Sequence, residues 1–357
     1  MSAALPENLV TLLRATSRSF YLTLRVLPRA IRPQIGLAYL LARTTDTIAD
    51  TEILPAAQRL EALKKLREKI LGENSTPLNF GELAQSQGSV AERLLLEKTG
   101  EGLALLETLS AADLKLVRAV LVTITNGQEL DLQRFGEPSA TFAAREDARP
   151  TSKKIIPLPT TAELDDYTYR VAGCVGEFWT QMCRAHLFPN ARLDEKQFFA
   201  DGIRFGKGLQ LVNILRDLPA DLKNGRCYLP LEILSAAGLT PENLLSPENE
   251  KLFLPLFHKQ LDQAEEHLAA GWRYTNTLPF GQVRVRLACA WPVLIALRTI
   301  AKLRTANTMD LQARVKISRR EVRNTILLSL LASPVPFLWR KLYSAGGKAV
   351  ASGGDLA

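Results

Sequence analysis

Two pairs of aspartates set the chemical problem. Asp46 and Asp50 stand four residues apart in "RTTDTIAD", residues 43–50, and Asp217 and Asp221 repeat that spacing in "LQLVNILRDLPADL", residues 209–222. Carboxylates one helical turn apart share a face and repel by roughly 0.2–0.5 kcal/mol. A helical residue advances about 100°, so Tyr39, Arg43, Asp46 and Asp50 fall within about 60° of arc, and Gln210, Asn213, Asp217 and Asp221 within about 80°. Gly206 lies on the second stripe and is expected to leave room for a ligand. Four carboxylates turned into one interior need neutralising, and magnesium does so with a few carboxylates, water and substrate phosphates, with the Asn213 amide oxygen as a further ligand. Arg18, Arg43, Arg216 and Arg226 are the phosphate-gripping candidates. The competing reading of either pair is a set of surface ion pairs.

These stripes need long helices to carry them. Leu37, Ala38, Leu40, Leu41, Ala42 and Ile48 cover other faces of the first segment, which predicts a buried helix whose polar stripe looks into a cavity. Helical periodicity runs through 7–18, 33–51, 55–71, 91–108, 111–132, 162–187, 195–222, 230–237, 249–276, 281–305 and 318–331, and no series of alternating strands or glycine-rich dinucleotide turn interrupts it. The fold class expected is all-α. Polar, glycine- and proline-containing stretches at 72–89 and 146–161 read as loops, the second as a lid or a plain connection. One domain over 1–342 is expected, with a disordered tail over 343–357.

At 357 residues, 46% hydrophobic and 23% charged, the chain has the composition of a soluble globular protein with room for a deep pocket. A formal charge of +8 selects the sign of a partner and not its chemistry. No recognition motif or aromatic-interleaved basic run supports nucleic acid. Cys174, Cys183, Cys227 and Cys289 form no CxxC pair, and His186, His258 and His267 share no zinc spacing with them; reduced core thiols in a cytoplasmic protein are expected. "MSAALPENLV" lacks the pattern of a secretory signal. The apolar run 326–339, broken by Pro334 and Pro336 and followed by Arg340 and Lys341, is too short to span a bilayer but suits peripheral contact, or the packing of a last helix.

Five segments, "TSRSF" (16–20), "YLLARTTDTIAD" (39–50), "YTYRVAGCVG" (167–176), "LQLVNILRDLPAD" (209–221) and "GRCYLP" (225–230), resemble in content and order the motifs of the squalene and phytoene synthase family. The resemblance covers roughly residues 10–325. It implies an isoprenoid synthase fold, a single helical domain around a central cavity. It implies that Asp46, Asp50, Asp217 and Asp221 hold magnesium and diphosphate with help from Asn213, and that Arg18, Ser19, Arg43, Arg216 and Arg226 lie near the diphosphates, Tyr39 and Gln210 shaping that polar end. Tyr167 matches the tyrosine implicated in the first half-reaction, while Arg170 stands where relatives often carry a second aromatic.

The expected substrate is farnesyl diphosphate, joined head to head, with no obligate protein partner. "TSRSF" and the segment 289–322 look most like squalene synthases, which end the reaction with hydride from NADPH; Lys316, Arg319 and Arg320 are the candidates to meet a cofactor phosphate, or form a basic helix start on a solvated face. Phytoene and dehydrosqualene synthases lose a proton instead. A non-catalytic helical assembly factor is the alternative outside enzymes.

Overall fold

The computed structural model describes residues 5–17, 20–136, 154–307, 309–310 and 314–348. Its contacts cluster into two units, Met1–Ala144 with Glu177–Ala191, and Arg145–Gly176 with Arg192–Ala357. Both are built almost wholly of helices.

The first unit carries α1 (Glu7–Ser17), α2 (Phe20–Val26), α3 (Arg32–Ala49), α4 (Ala56–Leu71), α5 (Gly81–Gln85), α6 (Val90–Glu97), α7 (Thr99–Leu106) and α8 (Ala111–Phe135). α3 is its axis, packed against α4, α6, α7 and α8. Pro33 suits the start of α3, where a backbone N–H has no helical acceptor, and the Arg32 guanidinium donates to the Leu27 carbonyl at 2.5 Å. Leu37, Leu41 and Ile48 are almost completely buried. The threonines of "RTTDT" are buried too, and each hydroxyl turns back onto its own helix: Thr44 onto Leu40 at 3.0 Å, Thr45 onto Ala42 at 2.7 Å and Thr47 onto Arg43 at 2.9 Å. A polar sequence is thereby made compatible with a dry helix.

The second unit contains β1 (Ile156–Leu158), α9 (Thr161–Thr168), the start of α10 (Cys174–His186), α11 (Glu195–Lys223), β2 (Arg226–Pro230), α12 (Leu231–Ala236), α13 (Glu250–Thr277), α14 (Val283–Leu303), α15 (Arg319–Ala332) and α16 (Pro336–Lys348). α11 and α13 are its principal pair. Phe198 stacks flat on Tyr274 with ring centroids 4.4 Å apart, and a Cβ at Gly208 would stand 2.8 Å from that of His267, so glycine lets the two helices close.

Several expectations change. The helix expected over 91–108 is two helices that meet at Lys98. The one over 162–187 widens into a π-helical turn at Tyr169–Gly173. Part of the expected loop 146–161 is a strand: β1 pairs in parallel with β2, Ile156 opposite Arg226, a segment too short and too proline-bearing to show alternation; 146–153 lie outside the described residues. α5 forms inside the expected loop 72–89, and α16 runs past 342 to Lys348. No described helix is long and apolar enough to cross a membrane.

Candidate functional site

The first acidic stripe lies at the C-terminal end of α3. The Asp50 N–H donates to the Asp46 carbonyl at 2.8 Å, so the two aspartates are one α-helical turn apart. Both sit at the negative end of the helix dipole, which adds to their mutual repulsion. Arg43 Nη1 is 3.8 Å from the Asp46 carboxylate, but its other terminal nitrogen is held at 2.7 Å by Glu92 of α6. Gln128, reaching from α8, donates its amide to Asp46 in a short contact. Tyr39 stacks on Phe20 with centroids 5.1 Å apart, closing the stripe two turns upstream.

Burial, then the charge of Asp50, pushes Asp46 up to about 6, against the opposing pull of Arg43 and Gln128. Yet the Asp46 side chain keeps 45% of its exposure. A carboxylate both reachable and desolvated lies in a recess, not on a convex surface. Around it Arg43 Nε and Gln128 Oε1 are buried without partners, as is Glu129 Oε1 on the same helix as Gln128. Burial raises Glu129 despite its 2.8 Å ion pair with Arg67. Asp46 thus has one distant counterion and a short amide contact, beside buried polar atoms that lack partners.

In the second unit α11 carries the second pair. Pro219 sits inside the helix, which nevertheless continues to Lys223. Asp217 is exposed and gripped by both arms of Arg216, at 2.9 and 2.5 Å. Asp221 is half-buried, near enough to Cys227 that its charge adds to the burial holding that thiol at about 12. The Asn213 amide is 3.5 Å from Gln210 Oε1, one turn away. Arg226 opens β2, placed by its pairing with Ile156.

Tyr167 lies in the last turn of α9 and stacks on Tyr228 of β2, centroids 4.9 Å apart. Just beyond it the π turn makes room for α11: a Cβ at Gly176 would stand 1.9 Å from the Gly202 carbonyl oxygen, and one at Gly206 would stand 2.1 Å from that of Ala172. The expectation for Gly206 is therefore corrected, since backbone and not ligand occupies the space its missing side chain leaves. Arg170, in the aromatic's place, bonds back to Asp166 at 2.7 Å.

Lys316 precedes the start of α15, and Arg319 and Arg320 are its first residues; all three are exposed and none has a carboxylate partner among the described residues. Arg18 and Ser19 fall outside the described residues. Glu92, Gln128 and Tyr228 were not singled out from sequence. Only Tyr228 carried a signal, its place in "GRCYLP"; the other two reach the stripe from helices far along the chain.

A family model described as squalene/phytoene synthase matches residues 13–321. The chain belongs to the squalene/phytoene synthase family. Among curated members, the bifunctional lycopene cyclase/phytoene synthase of Gibberella fujikuroi is 29% identical over 261 residues, which cover 72% of this chain and 40% of that protein. The squalene synthase of Saccharomyces cerevisiae is 28% identical over 324 residues, 89% of this chain and 66% of that one. The chain thus spans well under half of the first relative and just under two thirds of the second. In fold it resembles TcSQS solved with the ligand BPH1237, at a TM-score of 0.73 and 22% identity over 98% of this chain and 93% of the other. A dehydrosqualene synthase in complex with ligand follows at 0.60 and 18%, over 94% of each chain.

For a family member the oxygen-only donors of the two acidic segments suit magnesium. No group of three His, Cys, Asp or Glu side chains converges among the described residues as a ready-made cage. The raised Asp46 carboxyl leaves that helix end receptive to a cation.

Proposed function

We propose that the chain is a farnesyl-diphosphate farnesyltransferase of the squalene synthase type, joining two farnesyl diphosphates through presqualene diphosphate and reducing the product with NADPH. The observation that carries this reading is the Asp46–Asp50 stripe at a helix C-terminus, where Asp46 is accessible yet desolvated and has Arg43 only at 3.8 Å. Magnesium, when bound by Asp46, Asp50, Asn213, Asp217 and Asp221, supplies charge stabilisation to a leaving diphosphate.

The chain's own residues do the rest. Arg43, anchored by Glu92, stands beside Asp46 as a counterion for diphosphate. Arg18, Ser19, Tyr39, Gln210 and Arg226 complete the polar end of the substrate site. Arg216 serves as counterion to Asp217 and can transfer its fork to phosphate. The allylic C–O bond breaks with its electron pair leaving on diphosphate. The double bond of the second prenyl chain attacks the cation, and loss of a proton closes the cyclopropane. Tyr167, its ring fixed against Tyr228, directs that proton. A second ionisation and rearrangement produce a second cation; Lys316, Arg319 and Arg320 would hold the phosphates of NADPH, which would supply the hydride.

The non-reductive ending is the second reading, supported by a phytoene synthase relative at 29% identity beside a squalene synthase at 28%. Incubation with farnesyl diphosphate and magnesium, with and without NADPH, separates them. Squalene formed only with NADPH is expected. Dehydrosqualene in both tubes establishes the non-reductive ending, and no product from well-folded protein returns the non-catalytic assembly factor.

A further inference from the structure

The hairpin of α15 and α16 is built inside out. α15 buries Thr325, Ser329 and Ala332 and leaves Leu327, Leu328 and Leu331 exposed, Leu331 to 72%. The turn and the start of α16 continue the apolar surface with Val335, Phe337 and Leu338, Phe337 exposed to 63%. Soluble helices place their leucines the other way round. The inner face is firmly pinned: Trp291 donates to Ser329 Oγ at 2.8 Å, Trp339 donates to Asn276 Oδ1 at 2.9 Å, and Trp339 stacks on Trp272 with centroids 5.4 Å apart. The leucines are outward because the other face is held, not because the hairpin is loose.

Beside this ridge lies a cavity of about 460 Å³ whose lining includes Arg286, Arg340, Ser333 and Trp339 and no carboxylate. The Arg286 guanidinium lies between aromatic faces, 5.4 Å from the Phe280 centroid and 5.1 Å from that of Trp339. Its Nε is buried without a partner, and neither Arg286 nor Arg340 has an acid among the described residues. Lys341 sits over the Phe337 ring at 4.2 Å, and Arg319, Arg320 and Arg323 are exposed at the other end of α15. An apolar ridge bordered by unpaired cations matches the boundary between acyl chains and anionic headgroups.

We propose that this hairpin is a membrane-seating surface, in which the ridge enters the acyl boundary of an anionic bilayer and the Arg286–Arg340 cavity takes a phospholipid phosphate. The occupant is a lipid surface because apolar insertion and phosphate recognition occur side by side, and the chain's charge of +8 has the matching sign. The sequence alone suggested contact for 326–341; the cavity and the inverted burial are what assign the headgroup. The prenyltransferase reading is not needed for this inference.

Flotation of the purified chain on phosphatidylcholine vesicles, with and without phosphatidylglycerol, tests it, with Trp fluorescence as a second readout because Trp339 lies against Arg286. Wild-type protein is expected to float with the phosphatidylglycerol vesicles. Phe337→Glu with Leu331→Glu should abolish flotation, and Arg286→Gln or Arg340→Gln should each weaken binding about fivefold. Turnover in detergent should be unchanged in all of them. Failure of the wild type to float overturns the proposal. So does inorganic phosphate that shifts the fluorescence as vesicles do, which would make the cavity a free-anion site. A dimer in sedimentation, dispersed by Phe337→Glu and accompanied by no flotation, would assign the ridge to a second copy and equally overturn it.

Discussion

Asp46 pits stability against function. The folded carboxylate takes its proton near 6 and the unfolded one near its ordinary 3.8, so between those values the folded state holds the extra proton. Its contribution therefore favours folding at acid pH and is lost as pH rises through that window. Asp46→Asn should raise the metal-free melting temperature at pH 7 by ~1–2 °C, the gain kept small by solvent access, and flatten the pH dependence between 4 and 6. The same variant should abolish turnover with its helical circular dichroism intact; unchanged turnover would remove Asp46 from the metal site. Tyr167→Phe, which keeps the stack on Tyr228, should lower kcat by about 100-fold with little change in KM, the size of a lost proton-transfer group. The acidic residues were legible because their spacing is local. Glu92 and Gln128 were not, because a partner on another helix leaves no periodic trace.

The helices were legible wherever a long apolar face needed burying, and α3, α8, α11 and α13 fall within a few residues of expectation. What periodicity could not show was where a helix must deform. The π turn at Tyr169–Gly173 exists where α11 crosses almost backbone to backbone, and the small residues allowing it read in sequence as an ordinary "VAG" or as space for a ligand. Gly206→Ala tests the packing account directly. Its methyl would meet the Ala172 carbonyl oxygen at 2.1 Å, a contact only a backbone shift can relieve, so a loss of about 2–4 kcal/mol in chemical denaturation is expected. Gly88→Ala, with nothing within 4 Å, is the control and should be near neutral. If the Gly206 variant kept full stability and lost only substrate affinity, the ligand-space reading would return. Likewise α16 cannot simply be removed to probe the hairpin, since Trp339 is 2% exposed and its loss would open the core.

On the proposed reading, metal enters as part of the substrate's shell and not as part of the fold. The two segments differ in compensation, Asp46 being met only weakly by Arg43 and Gln128 and Asp217 closely by Arg216. No cage of three ligands exists among the described residues for an ion to staple. Structural metal sites contribute folding energy outright, whereas sites of this kind gain affinity only when phosphate oxygens complete the coordination. Chelation should therefore abolish turnover and leave the melting temperature within about 1 °C of its starting value, given stability shifts well under 1 kcal/mol. Magnesium alone and inorganic pyrophosphate alone should each stabilise little. Together at about 100 times their joint dissociation constant they should add roughly 2.7 kcal/mol, read as an upward shift in thermal melting. If both segments hold the loaded diphosphate, as proposed, Asp46→Asn and Asp217→Asn should each remove that joint shift. A full shift retained in either variant would mean that the corresponding helix carries its aspartates for packing or solubility alone.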